Sequence, residues 1–172
     1  MGAEALTGHG RLLVGVLVGV LLTAGCTRSG GPPTKADRSG RLEAGGVSVE
    51  ATLTDGPNGA RLRATFHPQR PGFHLYSSDL PPDGVQGLGI PTVVAVRGSL
   101  DATGAPTADK PVSELRIEEL GVTLPVYPDG PVTVTLPVRS TGDGPAEVVV
   151  TYGACSASTC LPPVRERTIA LT

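Results

Sequence analysis

From residue 47 onward, apolar and polar residues alternate in short runs, and glycine and proline separate one run from the next. In "ARLRATF", Leu62, Ala64 and Phe66 alternate with polar side chains, and "VTVTLPV" repeats the pattern from Val132 to Val138. A period of two places alternate side chains on one face of a β-strand, so each run predicts a strand with one buried face. The 24 glycines and 17 prolines of the 172 residues therefore mark turns in an ordered β protein.

About eight such strands are predicted, and no stretch shows the period of an amphipathic helix. The first two strands flank "TDGPNG" and predict a hairpin, whereas residues 100–110 predict a polar loop. The strands are predicted at residues 47–53, 60–66, 72–77, 90–98, from 113 onward, and at 131–138, 146–153 and 167–171. The pattern indicates an all-β fold, an immunoglobulin-like antiparallel β-sandwich, with a small barrel as the alternative.

The N-terminus has the features of an export signal. Arg11 precedes the apolar run "LLVGVLVGVLL", which is too short to span a bilayer, since about 20 residues are needed. Cys26 follows "TAG", which resembles a bacterial lipobox except that Thr23 stands where Leu is commonest. We therefore expect residues 1–25 to be a lipoprotein signal peptide and Cys26 to carry the lipid. An ordinary secretory signal with an incidental cysteine is the alternative.

Between the signal and the first predicted strand lies a segment rich in Gly, Pro, Ser and charge, without apolar periodicity. We predict a flexible tether over residues 26–46 and a folded domain over residues 47–172. The net charge of −2 gives no basic field for nucleic acid, so nucleic-acid binding is not expected. The chain is expected to be a monomer attached to the membrane by its lipid alone.

Cys155 and Cys160 lie in "YGACSASTCLPP", between the last two predicted strands. After export they meet an oxidising compartment, so a disulfide is the expected state. A bridge that closes a six-residue loop stabilises by only about 2 kcal/mol, against roughly 4 to 5 for a loop near 100 residues. The small neighbours of the two cysteines leave the sulfurs approachable for thiol exchange. These features alone leave a structural and a redox disulfide both open.

A metal site is a third interpretation, with His67, His74, Cys155 and Cys160 as its four ligands. The spacing of the cysteines lacks the two-residue gap of zinc knuckles, and the histidines lie in different segments, so the pattern argues against it. The sequence holds no "GxSxG", "HExxH" or glycine-rich phosphate loop, which disfavours hydrolases and nucleotide binding. No cofactor is expected.

Three segments together resemble the amino-terminal periplasmic domain of the DsbD family of thiol:disulfide interchange proteins. They are "GFHLYSSDLPPDGVQGLGIPT", "VYPDGPVTVTLPV" and "VTYGACSASTCLPP", and the resemblance covers residues 47–172. It implies an immunoglobulin-like sandwich whose cysteine pair receives electrons from a membrane-embedded thiol carrier, via a thioredoxin-like domain, and passes them to thioredoxin-fold proteins. The implied activity is that of a protein-disulfide reductase or electron-relay component.

The resemblance also implies roles for individual residues. Cys155 and Cys160 match the redox pair, and His74 and Tyr76 match aromatic positions that shield it. Their period-two spacing places His74 and Tyr76 on one face of a strand. The alternatives are a solvated or core histidine and an ordinary strand aromatic.

A cap loop that covers the disulfide in the family falls at Glu118, Glu119 and Leu120. Because Leu120 replaces the family's aromatic residue, the shielding is expected to be looser or to come from Tyr127. A solvated turn and a strand aromatic are the corresponding alternatives.

The family's best-known members continue into a polytopic membrane domain, and residues 1–172 contain no segment of that kind. We therefore expect a separate protein to supply the electrons, and a lipid on Cys26 to hold the domain near it. The competing hypothesis is a non-enzymatic binding or accessory lipoprotein with a structural disulfide.

Overall fold

Two antiparallel sheets face each other across one hydrophobic core in this computed structural model, which describes residues 37–57 and 59–172. The first sheet has the strand order β1-β2-β3-β10-β6, with β7 also paired to β10, and the second has the order β13-β11-β5. Two small ribbons, β4 with β12 and β8 with β9, complete the pairing. The strands are β1 (Arg38–Ala44), β2 (Val47–Thr54), β3 (Ala60–Pro68), β4 (His74–Leu75), β5 (Val93–Gly98), β6 (Leu100–Ala102), β7 (Thr107–Ala108), β8 (Ser113–Ile117), β9 (Val122–Val126), β10 (Val132–Ser140), β11 (Ala146–Tyr152), β12 (Ala154–Cys155) and β13 (Val164–Leu171).

The sandwich core is formed by the alternating side chains of both sheets. Leu62, Ala64 and Phe66 of β3 are fully buried, as their period of two predicts. Tyr152 of β11 meets Phe66 edge to face, with ring centroids 5.4 Å apart, and so joins the two sheets through the core. The prediction of an immunoglobulin-like antiparallel β-sandwich is confirmed.

The predicted tether is wrong for residues 38–44, which form β1. This strand pairs with β2 along its whole length, from Arg38 opposite Leu53 to Ala44 opposite Val47. Gly45 and Gly46 connect the two strands with φ values of 53° and 67°, the left-handed conformation that a two-residue hairpin turn requires. The folded unit therefore begins before residue 47, while residues 26–36 of the predicted tether lie outside the described part.

Two further differences concern the middle of the chain. The predicted polar loop at residues 100–110 contains β6 and β7, which are short because each pairs with only a few residues of β10. The predicted strand at residues 72–77 contains only β4, which pairs with β12. This last pairing matters most for the site, because it places His74 opposite Cys155.

Candidate functional site

Cys155 and Cys160 form a disulfide across a tight loop. The backbone N–H of Leu161 donates to the carbonyl of Ala154 at 2.9 Å, and that of Ser156 donates to the carbonyl of Thr159 at 2.8 Å. These bonds bring the two cysteines opposite each other, with their Cα atoms 4.0 Å apart and an S–S bond of 2.04 Å. The disulfide thus closes the short loop at residues 155–160 and does not link the two sheets.

The hydroxyl of Ser156 holds the tip of this loop. Its Oγ accepts the backbone N–H groups of Ser158 and Thr159, at 3.4 and 3.2 Å, in a serine turn. Small residues suit such a tip because large side chains there would cover the sulfurs. The loop is therefore locally ordered and open to an incoming molecule on its outer side.

The two cysteines differ in their exposure to solvent. Cys155 is only 5% exposed and lies in β12, which is paired with β4, whereas Cys160 is exposed. Cys155 belongs to a second hydrophobic cluster, here called the disulfide cluster, separate from the sandwich core. Its buried members are Tyr76, Leu80, Leu124, Val126 and Cys155. Of the two cysteines, Cys160 is therefore the more accessible to solvent.

Tyr76 contacts the buried sulfur directly. Its hydroxyl donates a hydrogen bond to Sγ of Cys155 at 3.2 Å. Burial raises the pKa of Tyr76, so the hydroxyl keeps its proton and remains a donor at neutral pH. A donor in this position stabilises negative charge that develops on Sγ of Cys155 when the disulfide opens.

His74 lies beside Tyr76. The rings meet edge to face with centroids 6.1 Å apart, and His74 is only 7% exposed. Its Nδ1 atom lies 3.5 Å from Oδ1 of Asp129, whereas its buried Nε2 atom has no partner among the described residues. His74 therefore packs behind Tyr76 as a buried histidine, directly opposite Cys155 in the strand pairing.

The predicted cap segment is a 3₁₀ turn at Glu118–Leu120 that joins β8 to β9. Glu119 lines a cavity of about 690 Å³ beside the disulfide, together with Tyr76 and the loop at 155–160. Glu118 and Leu120 do not line this cavity, and Leu120 is 55% exposed. The segment thus lies close to the disulfide, but Leu120 does not cover it.

Tyr127 belongs to the sandwich core and is 1% exposed. Its hydroxyl accepts the backbone N–H of Ser78 at 3.2 Å and lies 3.0 Å from the hydroxyl of the same residue. Tyr127 therefore anchors the loop after β4 and lines neither cavity beside the disulfide. The structure gives no support to the expectation that Tyr127 replaces the missing aromatic of the cap.

A second cavity, of about 270 Å³, lies next to the disulfide and contains residues that the sequence did not single out. Asp83 and Arg165 line it together with Cys155 and Cys160. No sequence signal links these two charged residues, since they lie far apart in the chain and outside any alternating run. We call this the Arg165 cavity.

The structure also bears on the predictions about a metal site and about membrane attachment. Within residues 37–57 and 59–172, no three Cys, His, Asp or Glu side chains are grouped as a metal site would require. No helix in the same residues has the length and apolar character to cross a membrane. The predicted signal peptide and the lipid-bearing Cys26 lie outside the described residues.

Comparison with known proteins gives a match over most of the chain. The family model for the N-terminal part of the thiol:disulfide interchange protein DsbD matches residues 47–172. No protein of curated function matches the chain in sequence.

Two solved structures, both from Neisseria meningitidis, are similar to the chain at 20% sequence identity. A complex between the DsbD N-terminal and PilB N-terminal domains aligns with a TM-score of 0.45, over 83% of this chain and 87% of that one. The reduced DsbD N-terminal domain aligns with a TM-score of 0.42, over 78% of this chain and 90% of that one.

Proposed function

Because the chain belongs to the family of the N-terminal part of the thiol:disulfide interchange protein DsbD, we propose that it relays electrons outside the cytoplasm between a membrane thiol carrier and thioredoxin-fold proteins. The observation that carries this proposal is the unequal burial of the disulfide, with an exposed Cys160 and a buried Cys155 that accepts a hydrogen bond from Tyr76. This arrangement distinguishes an attacked sulfur from a leaving sulfur.

The exchange step follows from this geometry. A thiolate of the electron donor attacks Sγ of Cys160, a new S–S bond forms, and the bond between Cys160 and Cys155 breaks. Cys155 leaves as a thiolate, and the Tyr76 hydroxyl stabilises its charge until a proton is taken up. The second thiolate of the donor then attacks the mixed disulfide, which leaves the donor oxidised and Cys155 and Cys160 reduced. Transfer to an oxidised partner is the reverse of this sequence.

The cap segment gives the site a place where access can be controlled. Glu119 lines the cavity next to the disulfide, and the turn ends at Gly121, whose φ of 61° reverses the chain without steric cost. We propose that His74 and Tyr76 cover the inner side of the disulfide and that Glu118, Glu119 and Leu120 border its outer side. Since Leu120 is exposed, the cover on the outer side is partial.

We further propose that residues 1–25 are removed on export and that lipid on Cys26 holds the domain at the outer surface of the cell membrane. Confinement near a membrane thiol carrier raises the effective concentration of both proteins without any new contact. An unlipidated Cys26→Ala form would therefore be expected to keep its exchange chemistry in solution and to lose exchange with a membrane-bound donor.

The second candidate function is a binding or accessory lipoprotein in which the disulfide is structural. The burial of Cys155 within the disulfide cluster favours it, because a buried bridge can hold that cluster together. The short loop argues against it, because a bridge across six residues lowers the conformational entropy of the unfolded chain only slightly.

The two functions are separated by opening the disulfide in the native protein. We expect millimolar dithiothreitol to yield two free thiols while the β-sheet circular dichroism is retained. Reduced Cys155→Ser protein, which keeps Cys160, is expected to trap a mixed disulfide with a single-cysteine thioredoxin variant activated by thionitrobenzoate, which departs as the leaving thiolate. Cys160→Ser protein, which keeps only the buried Cys155, is expected to trap none. A bridge that stays closed in millimolar dithiothreitol would rule out the electron relay.

A further inference from the structure

The Arg165 cavity has two charged side chains in its lining, and they carry opposite charges. Asp83 and Arg165 are both exposed, and neither forms an ion pair with another residue in the described part of the chain. The remaining lining is Tyr76, apolar side chains, glycines and the two cysteines. A guanidinium and a carboxylate that border one cavity without pairing to each other provide separate sites for an anion and a cation.

Arg165 reaches the cavity because β13 contains a β-bulge. Val150 pairs with Arg167 and Tyr152 pairs with Val164, so Arg165 and Glu166 together oppose Thr151. The alternation that buries Leu171 and Ile169 would otherwise place residue 165 on the core-facing side.

Glu166 stabilises this bulge. It adopts a left-handed φ of 47°, and its backbone N–H donates to Oγ1 of Thr151 at 3.0 Å. A non-glycine residue in this conformation is uncommon and has a conformational cost, which is typical of backbone held for a function. The bulge therefore places Arg165 beside the disulfide on a defined backbone.

Asp83 is placed by an equally defined loop. The N–H of Gly84 donates to the carbonyl of Pro81 at 2.8 Å, and Val85 and Leu88 exchange two backbone hydrogen bonds of 3.0 Å. Gly84 has a φ of 73°, and a Cβ atom there would collide with the carbonyl oxygen of Leu88, so only glycine fits. The loop therefore holds Asp83 at the lining of the cavity, to which Arg165 comes from a distant part of the chain.

From this arrangement we propose that the Arg165 cavity binds the α-amino acid group of a small thiol or disulfide, and that the reduced domain transfers electrons to low-molecular-weight disulfides of the cystine type. Arg165 would bind the carboxylate and Asp83 the ammonium group, within the same cavity that Cys155 and Cys160 line. A volume of about 270 Å³ suits a ligand of amino-acid size, since pockets for the larger drug-sized ligands have volumes of about 300 to 1,000 Å³. This assignment rests on the proposed exchange function of the same disulfide.

The reaction balances without any further reactant. The Cys160 thiolate attacks one sulfur of cystine, a mixed disulfide forms, and one cysteine leaves as a thiolate. The Cys155 thiolate then attacks Sγ of Cys160, which restores the protein disulfide and releases the second cysteine. The two protein thiols supply two electrons and two protons, and one cystine becomes two cysteines.

The test is the rate at which the reduced full chain is oxidised by four small disulfides. Cystine carries both charged groups, cystamine only ammonium groups, 3,3′-dithiodipropionate only carboxylates, and bis(2-hydroxyethyl) disulfide neither. Each rate is divided by the rate of the same disulfide with free dithiothreitol, which removes differences in intrinsic reactivity. We expect the corrected rate to be about tenfold higher for cystine than for bis(2-hydroxyethyl) disulfide.

Charge-removing variants then assign each group. Arg165→Gln is expected to slow cystine and dithiodipropionate about fivefold and to leave cystamine unchanged, whereas Asp83→Asn is expected to slow cystine and cystamine and to spare dithiodipropionate. Arg167→Gln is the matched control, because it removes the same charge from the same strand and does not line the cavity.

Three results would overturn the assignment, and they separate it from the exchange function. Equal corrected rates for all four disulfides, unaffected by either variant, exclude the amino-acid site and leave the exchange function intact. An effect of Arg165→Gln on thioredoxin alone would assign Arg165 to a protein partner and exclude the small ligand. Failure of every disulfide and of thioredoxin to react would exclude the exchange function together with the site.

Discussion

The sandwich core and the disulfide cluster are built from the same kind of side chain but in different ways. The sandwich core joins long strands whose alternating residues are buried from both sheets, as at Phe66 and Tyr152. The disulfide cluster joins short ribbons and loops, and one of its members, Cys155, is covalently bonded to an exposed residue. The difference indicates that the sandwich core supplies most of the stability, while the disulfide cluster holds reactive groups in position.

The largest effect on stability is therefore expected from the sandwich core. Phe66→Ala removes a fully buried ring and its contact with Tyr152, and we expect the free energy of unfolding to fall by about 3 to 5 kcal/mol. Urea denaturation measures this, with Leu120→Ala as the control because Leu120 is 55% exposed and its truncation should cost less than about 0.5 kcal/mol. A loss below about 1 kcal/mol for Phe66→Ala would remove the distinction between the two regions.

A smaller effect is expected from the disulfide itself. The double variant Cys155→Ser and Cys160→Ser is expected to lose all thiol exchange and only about 2 kcal/mol of stability, because the bridge closes a short loop. The two measurements are urea denaturation and turnover with thioredoxin. A loss of 4 kcal/mol or more would show that the bridge stabilises the fold as much as a large buried side chain of the sandwich core does.

Tyr152 provides a pH-dependent comparison within the sandwich core. Its hydroxyl donates to the carbonyl of Ala44 at 2.9 Å, so Tyr152→Phe is expected to cost about 1 kcal/mol at neutral pH.

Burial also raises the pKa of Tyr152 to about 12, although Arg167 lowers it slightly. Because the folded protein then holds this proton more tightly than the unfolded chain, the stabilisation is complete below pH 10 and is lost as the pH rises towards 12. Chemical denaturation at several pH values should show less alkaline loss in Tyr152→Phe than in the wild type. An identical alkaline loss in both proteins would contradict the assignment to Tyr152.

The smallest effect on stability is expected from Tyr76 in the disulfide cluster. Sulfur is a weak acceptor, so Tyr76→Phe should cost only about 0.5 kcal/mol of stability. The same change removes the donor that stabilises the Cys155 thiolate, and we expect exchange to slow about tenfold. Stopped-flow oxidation and urea denaturation report the two quantities, and a variant that loses stability but keeps its exchange rate would place Tyr76 with the structural residues.

The sequence predicted the sandwich core well because long half-buried strands carry a period that is visible locally. Leu62, Ala64 and Phe66 needed no knowledge of their partners to be assigned to a buried face. The strand β1 was missed because its seven residues include only one large apolar side chain, Leu42, and because an edge strand depends on its neighbour more than on its own pattern.

The disulfide site was predictable only in part, and the reason is again physical. Cys155 and Cys160 were evident from the sequence itself, and His74 and Tyr76 from the resemblance of three segments to a known family; the structure brings all four close together. Asp83 and Arg165 line the same cavity because of a β-bulge and the fold of a distant loop. The alternation of apolar and polar residues within one segment does not predict such long-range contacts. The exposure of Leu120 likewise depends on how the β8 and β9 ribbon lies on its neighbours.

The strand β1 also limits how far from a membrane the folded domain could lie if Cys26 carried a lipid. With residues 38–44 in the sheet, only eleven residues, 27–37, separate Cys26 from the folded domain, where the predicted tether allowed twenty up to residue 46. Eleven residues span at most about 40 Å when fully extended, against about 70 Å for twenty. A lipid on Cys26 would therefore keep the start of β1 within about 40 Å of the bilayer surface, roughly half the distance that the predicted tether allowed.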